Sequence, residues 1–454
     1  MFELQQLAQQ LHWDWLGSNL SVESISTDTR TLQSDALFVA LVGDRFDGHD
    51  YLDSAFKNGA EAAIVHRNTR VDSWPNKSFI FVDDTKHALQ QIAKWWRAQL
   101  NLSVVAIVGS NGKTTTKEMI CSIFKEHFGE RFVHATHGNF NNDIGLPLTL
   151  LNIRQHHKVS IVEIGMNHSG ETSQLAKIAA PNTILINNAQ REHQLYLKSV
   201  EQVAWEHGDI IKVLPNDGTA ILNSEDNFCE YWRSLANHCK VKTFGLNPTC
   251  FVNGQLRNDK EEVFINAEIN GQQTLYTSVK IPGLHNGMNA LAAIAVASSL
   301  GVSPEKIHLG LQKFRAVSGR LKVLESIKKG VLIDDSYNAN PDSYLAAVDV
   351  LKCFEGKTVL VMGDMDEAGE AVQNENVHAE IGMYAKKCGI DSLITIGSNS
   401  LQASKAYGPS SQHFESTELL IQYIKDVDSP QAVFLIKGSR FMRMELIVKA
   451  LTES

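Results

Sequence analysis

The chain is short of the features that would place it outside the cell or in a membrane. Its 454 residues hold six cysteines: Cys121, Cys229, Cys239, Cys250, Cys353 and Cys388. They are scattered and no two form a CxxC pair, which argues against a disulfide scaffold or a zinc ribbon and leaves reduced, buried thiols. The opening MFELQQLAQQL has no basic segment ahead of an apolar run, so no signal peptide is expected. One long stretch lacks Asp, Glu, Lys and Arg, from Ile281 to Pro304, but Pro282, His285, Asn286 and Asn289 interrupt it. Its apolar part is too short to cross a bilayer and reads as a buried helix. Positive charge is also scarce. Lys and Arg number 42 against 51 Asp and Glu, a net charge of −9, which argues against a sequence-independent grip on nucleic acid. A local basic pocket for an anionic small molecule stays open. The expectation is a cytoplasmic protein with no membrane span and no nucleic-acid partner.

The hydrophobic fraction of 43% and charged fraction of 20% exclude general disorder. The length exceeds one ordinary core, and two to four domains are expected. Leu4, Leu7 and Leu11 have helical spacing, and Ala36–Leu41, Ala60–Val65 and Phe79–Val82 read as strands. A helix is expected over Lys86–Leu100, then a strand at Val104–Val108 and a helix over Thr116–Phe128. Further strands are expected at Val159–Val162, Thr183–Ile186 and Thr219–Leu222. A last group, from about Gly319 onward, comprises Val331–Ile333, Thr358–Met362, Ser392–Ile396 and Ala432–Ile436. Strands alternating with helices make an α/β protein, here of three domains at 1–84, 85–316 and 317–454. No internal repeat or low-complexity segment is apparent.

The most informative motif is Gly109-Ser110-Asn111-Gly112-Lys113-Thr114-Thr115. A strand, a glycine turn and a helix start aim backbone N–H groups at one spot, and the helix dipole adds positive potential there. Lys113 would hold the β- and γ-phosphates of a nucleotide, and a Thr hydroxyl would hold Mg²⁺. Full Walker spacing asks for Gly where Ile107 stands, so the motif is a shortened one whose context supports it. Glu163 ends an apolar strand, where α/β sheets bind ligands, and suits Mg²⁺. His193 follows another strand. Alone it reads as a surface residue, but Lys113 and Glu163 favour the same metal-phosphate site. The Asn-rich turn Gly138–Asp143 is as consistent with local capping as with ligand contact.

These segments resemble the Mur ligase family. The likeness runs through Ser26-Thr27-Asp28-Thr29-Arg30, Asp47-Gly48-His49-Asp50, GSNGKTTTKEM, GNFNNDIGLPLTLL, VEIGMNHSGE and PGLHNGMNALAA. It continues in SGRLKV, DDSYNANPDS, VMGDMDEAG and KGSRFMRME. The resemblance implies a small α/β domain for a UDP-muramoyl substrate, a central P-loop-type mononucleotide-binding ATPase domain, and a C-terminal Rossmann-like domain. The DDSYNANP tract points to the family reaction that joins UDP-N-acetylmuramoyl-tripeptide to D-alanyl-D-alanine, with ATP and Mg²⁺ as cofactors and an acyl phosphate as intermediate. It implies Lys113, Glu163, His193 and Arg320 as catalytic residues. ATP would be held by Gly109 to Thr115, Asn289, Arg320 and Asp335, and metal by Thr114, Thr115, Glu163 and His193. Ser26, Thr27 and Arg30, with Asp47, Gly48 and His49 nearby, would face the UDP substrate. Asn338, Asn340, Lys437 and Arg440 would position the dipeptide. A monomer is expected.

The chain departs from the family at two places. Relatives carry a lysine, modified to a carbamate, in the segment corresponding to Val203–Ile210, and no lysine stands between Lys198 and Lys212. A carboxylate from Glu206 or Asp209, a water, or substrate phosphates would then take over. Asn187–His193 also differs from the relatives' Gly-Pro-Ala-His turn. Two other readings compete. A folylpolyglutamate synthase would lack some 100 residues ahead of the loop, and a non-catalytic nucleotide switch would not need Lys113, Glu163, Arg320 and Asp335 together.

Overall fold

The apolar runs become strands, and their alternation with helices builds two compact units. A computed structural model of the chain describes residues 1–192, 196–365 and 376–453. One unit comprises Met1–Ala106, Arg131–Met166 and Glu171–Asn182; the other comprises Ile107–Glu130, Asn167–Gly170 and Thr183–Ser454.

In the first unit, helix α1 (Leu4–Leu11) buries Leu4 and Leu7, as their spacing predicts, and leaves Leu11 partly exposed. Strands β1 (Asp14–Leu16), β2 (Ser24–Ser26), β3 (Ala36–Val39), β4 (Ala60–His66) and β5 (Ser78–Val82) form a sheet in the order β1-β5-β4-β3-β2. All neighbours are parallel except β1 and β5. Phe38, Ala63, Val65 and Phe79 of this sheet bury against Leu52. Helix α2 (Thr85–Ala98) starts where the Asp84 side chain accepts the His87 N–H, an N-cap that satisfies one of the helix's open donors. Its apolar face buries Leu89, Ile92 and Trp96, and the Trp96 indole donates to Ile153 O at 3.0 Å. Strand β6 (Ser103–Val108) then runs out of this unit into the other. Strands β7 (Val133–Ala135) and β8 (Val159–Glu163) pair in parallel.

The second unit holds helix α3 (Lys113–Phe128) and two sheets. Strands β9 (Thr183–Ile186), β10 (Thr219–Asn223), β11 (Lys240–Gly245), β12 (Val252–Asp259), β13 (Glu262–Ile269) and β14 (Gln273–Val279) are neighbours in that order. The first four are mutually parallel and the last two antiparallel. Helix α4 (Val200–Gly208) follows β9, and helix α5 (Leu284–Ser299) is the buried helix expected in the uncharged stretch, with Ala290 to Ala297 fully enclosed. The antiparallel arm was not anticipated. Its strands bury alternate residues (Val263, Ile265, Ala267 and Ile269 along β13), so they lack the continuous apolar runs by which the other strands are recognised. In the other sheet, β15 (Lys322–Glu325), β16 (Val331–Asp335), β17 (Lys357–Gly363), β18 (Ser392–Ile396), β19 (Ser411–Phe414) and β20 (Ala432–Lys437) adopt the order β15-β16-β20-β17-β18-β19. Only β15 runs antiparallel to its neighbour. Helices α6 (Pro341–Leu351) and α7 (Val377–Lys387) belong to this layer. Among the described residues no helix is long and apolar enough to cross a membrane.

Cross-strand pairing places His134 of β7 opposite Ser160 of β8, with Nδ1 2.8 Å from the hydroxyl. Burial, reinforced by the charges of His157 and Arg154, lowers the His134 pKa from 6.5 to about 3. Burial likewise lowers that of His157 to about 4. Unfolding therefore takes up protons between these values and 6.5, so this stability is complete above pH 6.5 and is lost as pH falls through the folded values. The melting temperature is expected to fall from pH 7 to pH 5, and His134→Gln to flatten part of that slope. An unaltered slope in the variant would contradict the assignment.

Candidate active site

Strand β6 ends at Val108 and α3 begins at Lys113, so the chain must reverse within Gly109–Gly112. Gly109 and Gly112 have φ of +143° and +83°. A Cβ on Gly112 would lie 2.4 Å from Asn289 Oδ1 and 2.6 Å from Asn187 Nδ2, and one on Gly109 would lie 2.8 Å from Asn187 Cβ. Both glycines are thus demanded by backbone angle and by close approach. Gly112, as N-cap, brings no capping side chain to α3, whose first turn offers its N–H groups and dipole to an anion.

The loop after β9 holds this turn in shape. Asn187 N donates to Val108 O and Ser110 N to Asn188 O. The Asn187 amide donates to Asn111 O at 2.8 Å and to Asn289 Oδ1 at 2.9 Å, while Asn188 Oδ1 accepts Asn111 N at 2.9 Å. Gln190 N donates to Ser110 Oγ at 2.9 Å, and Asn111 Nδ2 to Gln190 Oε1 at 2.6 Å. Asn187, Asn188 and Gln190 were missed from the sequence as site residues. Their signal was the polar run that begins where an apolar strand ends, the same signal that marks Glu163.

The Lys113 ammonium curls back onto the carbonyls of Gly109 and Ser110, with Glu192 Oε2 at 3.8 Å. Glu192 is buried, and His207 Nε2 of α4 lies 3.0 Å from its Oε1. The two carboxylates considered for the lysine-free segment are engaged elsewhere: Glu206 accepts Gly170 N at 3.0 and 2.9 Å, and Asp209 pairs with Lys212. Glu192, which the sequence reading passed over, is the carboxylate beside the loop lysine.

A cavity of about 260 Å³ opens here. Asn111, Gly112, Thr114 and Thr115 line it together with Asn187, Asn188, Gln190, Asn223, Glu225 and Asp226. His285 and Asn289 of α5 complete that side, and Arg320, Asp335, Asp342 and Lys437 come from the other sheet's layer. The residues expected around ATP are therefore brought together, Gly109, Ser110 and Lys113 forming the rest of the loop. Arg320 lies over the Tyr337 ring, 4.1 Å from its centroid. Lys437, expected with the dipeptide residues, donates to Asp335 Oδ2 at 2.7 Å and to Asn338 O at 3.0 Å. Burial pushes the Asp335 carboxyl up and the Lys437 ammonium down, each opposed by the other's charge. At 2.7 Å this is a mutually compensated ion pair. Burial, with Lys437 nearby, lowers the His285 pKa to about 4, so its ring is neutral at pH 7.

The remaining expected residues fall elsewhere or already have structural work. Asn340 caps α6 by accepting Ser343 N at 2.8 Å, and its amide donates to Asn111 Oδ1 at 3.0 Å. Asn338 Oδ1 accepts Arg440 N at 3.3 Å, and Arg440 pairs with Glu445. Glu163 is buried at the end of β8. His193 and the last four residues of the VMGDMDEAG tract, 366–369, lie outside the described residues. In the first unit, Ser26 ends β2, Thr27 and Arg30 follow it, and Asp47, Gly48 and His49 come after β3. Arg30 forks onto Asp28 at 2.9 and 2.7 Å, and that bond holds the Asp28 carboxyl down at about 2. His49 accepts His66 N through Nε2 at 2.9 Å, which puts its ring proton on Nδ1, facing Asp47. Gly48 N donates to Leu41 O at 2.7 Å, and a Cβ there would meet Leu41 N at 2.7 Å. The Asp47–His49 turn is thus tightly built into the sheet edge.

Gly112→Ala is expected to destabilise the second unit by at least about 1–2 kcal/mol from the left-handed backbone alone, lowering the urea midpoint. An unchanged midpoint would refute the close approach of Asn187 and Asn289.

Comparison with known proteins identifies the family. Family models match in chain order: "Mur ligase family, catalytic domain" at residues 21–97, "Mur ligase middle domain" at 107–297 and "Mur ligase, glutamate ligase domain" at 319–440. The UDP-N-acetylmuramoyl-tripeptide--D-alanyl-D-alanine ligase of Escherichia coli is 37% identical, over 99% of this chain and 98% of that protein. The Bacillus subtilis enzyme of the same name is 36% identical, over 95% and 94%. A crystal structure of MurF from Acinetobacter baumannii superposes with a TM-score of 0.87 at 31% identity, covering 99% of this chain and 98% of that one. The three-domain α/β architecture is shared with it, and the chain belongs to the Mur ligase family.

Proposed function

We propose that this chain is the ATP-dependent ligase that adds D-alanyl-D-alanine to UDP-N-acetylmuramoyl-tripeptide in peptidoglycan synthesis. The observation that carries the reading is the single cavity in which the glycine loop meets Asn289, Arg320, Asp335 and Lys437. Full-length kinship with enzymes of that name supports the choice of substrates.

The chemistry runs in two steps. A substrate carboxylate oxygen attacks the γ-phosphorus of ATP and displaces ADP, giving an acyl phosphate. The dipeptide amine then attacks the acyl carbon, loses a proton and expels inorganic phosphate. The first step brings anions together, so cations must offset their repulsion. Lys113 at the loop and Arg320 across the cavity supply them, and the N-terminal turn of α3 adds its N–H groups. Asn289, on the cavity wall, would contact the adenine, and Asp335 holds Lys437 in place. Mg²⁺, the proposed cofactor, would neutralise phosphate oxygens. The hydroxyls of Thr114 and Thr115 on the cavity wall and the Glu163 carboxylate are hard oxygen donors of the kind it takes, and His193 remains the further candidate. Ser26, Thr27 and Arg30, with the Asp47–His49 turn, are proposed to bind the UDP moiety, and Asn338, Asn340 and Arg440 to border the dipeptide. The proposed domains span 1–84, 85–316 and 317–454, and the enzyme works as a cytoplasmic monomer.

Purified protein is expected to release phosphate from ATP with UDP-muramoyl-tripeptide, and D-alanyl-D-alanine is expected to stimulate that release. Folded, active protein without dipeptide-stimulated release would overturn the reading in favour of a nucleotide switch. Lys113→Ala is expected to lower kcat by about 10²–10³-fold with an unchanged melting temperature. Because Val203–Ile210 holds no lysine, activity is also expected to be insensitive to added bicarbonate. A strong dependence on it would show that a lysine elsewhere is modified.

A further inference from the structure

We propose that Arg191 is a positioning residue for nucleotide binding, clasping the C-terminal sheet's helices onto the loop that shapes the phosphate site. The inference rests on the proposed nucleotide reading of the cavity but not on the identity of the acceptor. Arg191 directly follows Gln190, whose side chain is bonded to Asn111. Its guanidinium and backbone together grip Asp342: Nε and Nη2 donate to Oδ1 at 3.0 and 2.7 Å, and the backbone N–H donates to Oδ2 at 2.8 Å. The same guanidinium donates to Glu380 at 2.8 and 3.2 Å. Asp342 stands in the first turn of α6 and Glu380 on α7, so one arginine ties two helices of one layer to a loop of the other.

Several features separate this contact from an ordinary surface ion pair. The fork is bidentate toward one carboxylate and shared with a second, and all three side chains are partly buried, which limits solvent screening. Burial alone would lower the arginine's pKa, yet the bonds to Glu380 and Asp342 raise it. A second tie lies two residues before Asp342, where the amides of Asn340 and Asn111 bond each other at 3.0 and 3.3 Å. Asp342 itself lines the cavity. Without Arg191, the Asp342 carboxylate would face, without its cation, a cavity read as a polyphosphate site, and the layer bearing Arg320 and Lys437 would lose a charged tie to the loop that shapes the glycine turn. Clasping and charge cancellation therefore work in the same direction.

The test is isothermal calorimetry of the full-length protein with Mg²⁺ and ADP as probe, alongside thermal melting. Arg191→Met is expected to weaken ADP binding about tenfold or more. Arg191→Lys, which keeps the charge and loses the fork, is expected to fall in between. The charge swap that combines Arg191→Asp with Asp342→Arg is expected to recover most of the affinity. That recovery separates positioning from general destabilisation, which a second substitution would deepen. Wild-type affinity in Arg191→Met, or a charge swap weaker than either single change, would overturn the proposal. Wild-type protein that binds ADP but shows no dipeptide-stimulated phosphate release would overturn the ligase reading alone. The clasp would then still be decided by the ADP affinities.

Discussion

The site depends on one cluster of side-chain amides. Asn187 reaches the glycine loop and Asn289 at once, Asn289 in turn accepts from Asn187 and donates to Asn286, and Asn286 donates to Pro282 O. These groups are buried, and an amide that loses its partner there costs about 1–3 kcal/mol, more than a typical bond contributes. Replacing one member of the cluster would therefore leave its partner's amide unsatisfied. The cluster fixes the loop by excluding a Cβ at Gly109 and Gly112, joins β6, β9 and α5, and leaves the first turn of α3 open for phosphate. Asn111 and Gln190 extend the same network toward α6 and Arg191. Shape at the phosphate end and attachment of the other layer thus arise from one connected set of bonds.

How much of this was legible depended on the physical scale of each signal. Fully buried parallel strands such as Ala432–Lys437 are continuous apolar runs, and helix α5 is an uncharged one, so both were read directly from the sequence. The arm of β12 to β14 buries one face only, and its alternation is diluted by Asn, Gln and Glu on the outer face. The glycine loop could be read because its geometry admits few residues. Arg320 and Asp335 came from resemblance, since nothing local in the sequence brings residue 320 to residue 112. Asn187 and Glu192 escaped for the opposite reason. Each looks like loop polarity, and its meaning lies in partners far along the chain: Asn289 for one, Lys113 and His207 for the other.

The charge balance of the cavity carries the argument a step further. Its lining holds four carboxylates, Glu225, Asp226, Asp335 and Asp342, against two cationic side chains, Arg320 and Lys437. Lys437 is committed to Asp335, Asp342 to Arg191, and Lys113 has Glu192 near by. Burial raises the Asp226 carboxyl, although two backbone N–H groups, from Phe228 and Ala189, partly oppose the rise. Such a lining cannot hold a triphosphate by side-chain charge alone. Positive potential is also offered by the first turn of α3 and by Arg320, which stacks on the Tyr337 ring and has no carboxylate partner among the described residues; on the proposed reading, a cation would arrive with the nucleotide. On the proposed reading, a site so balanced would favour a nucleotide–metal complex over the bare anion, because the complex brings its own countercharge. The pairs of Asp335 with Lys437 and of Asp342 with Arg191 thus cancel charge on the cavity wall, and on the proposed reading the field at the phosphates would be set by Lys113, Arg320 and the helix end.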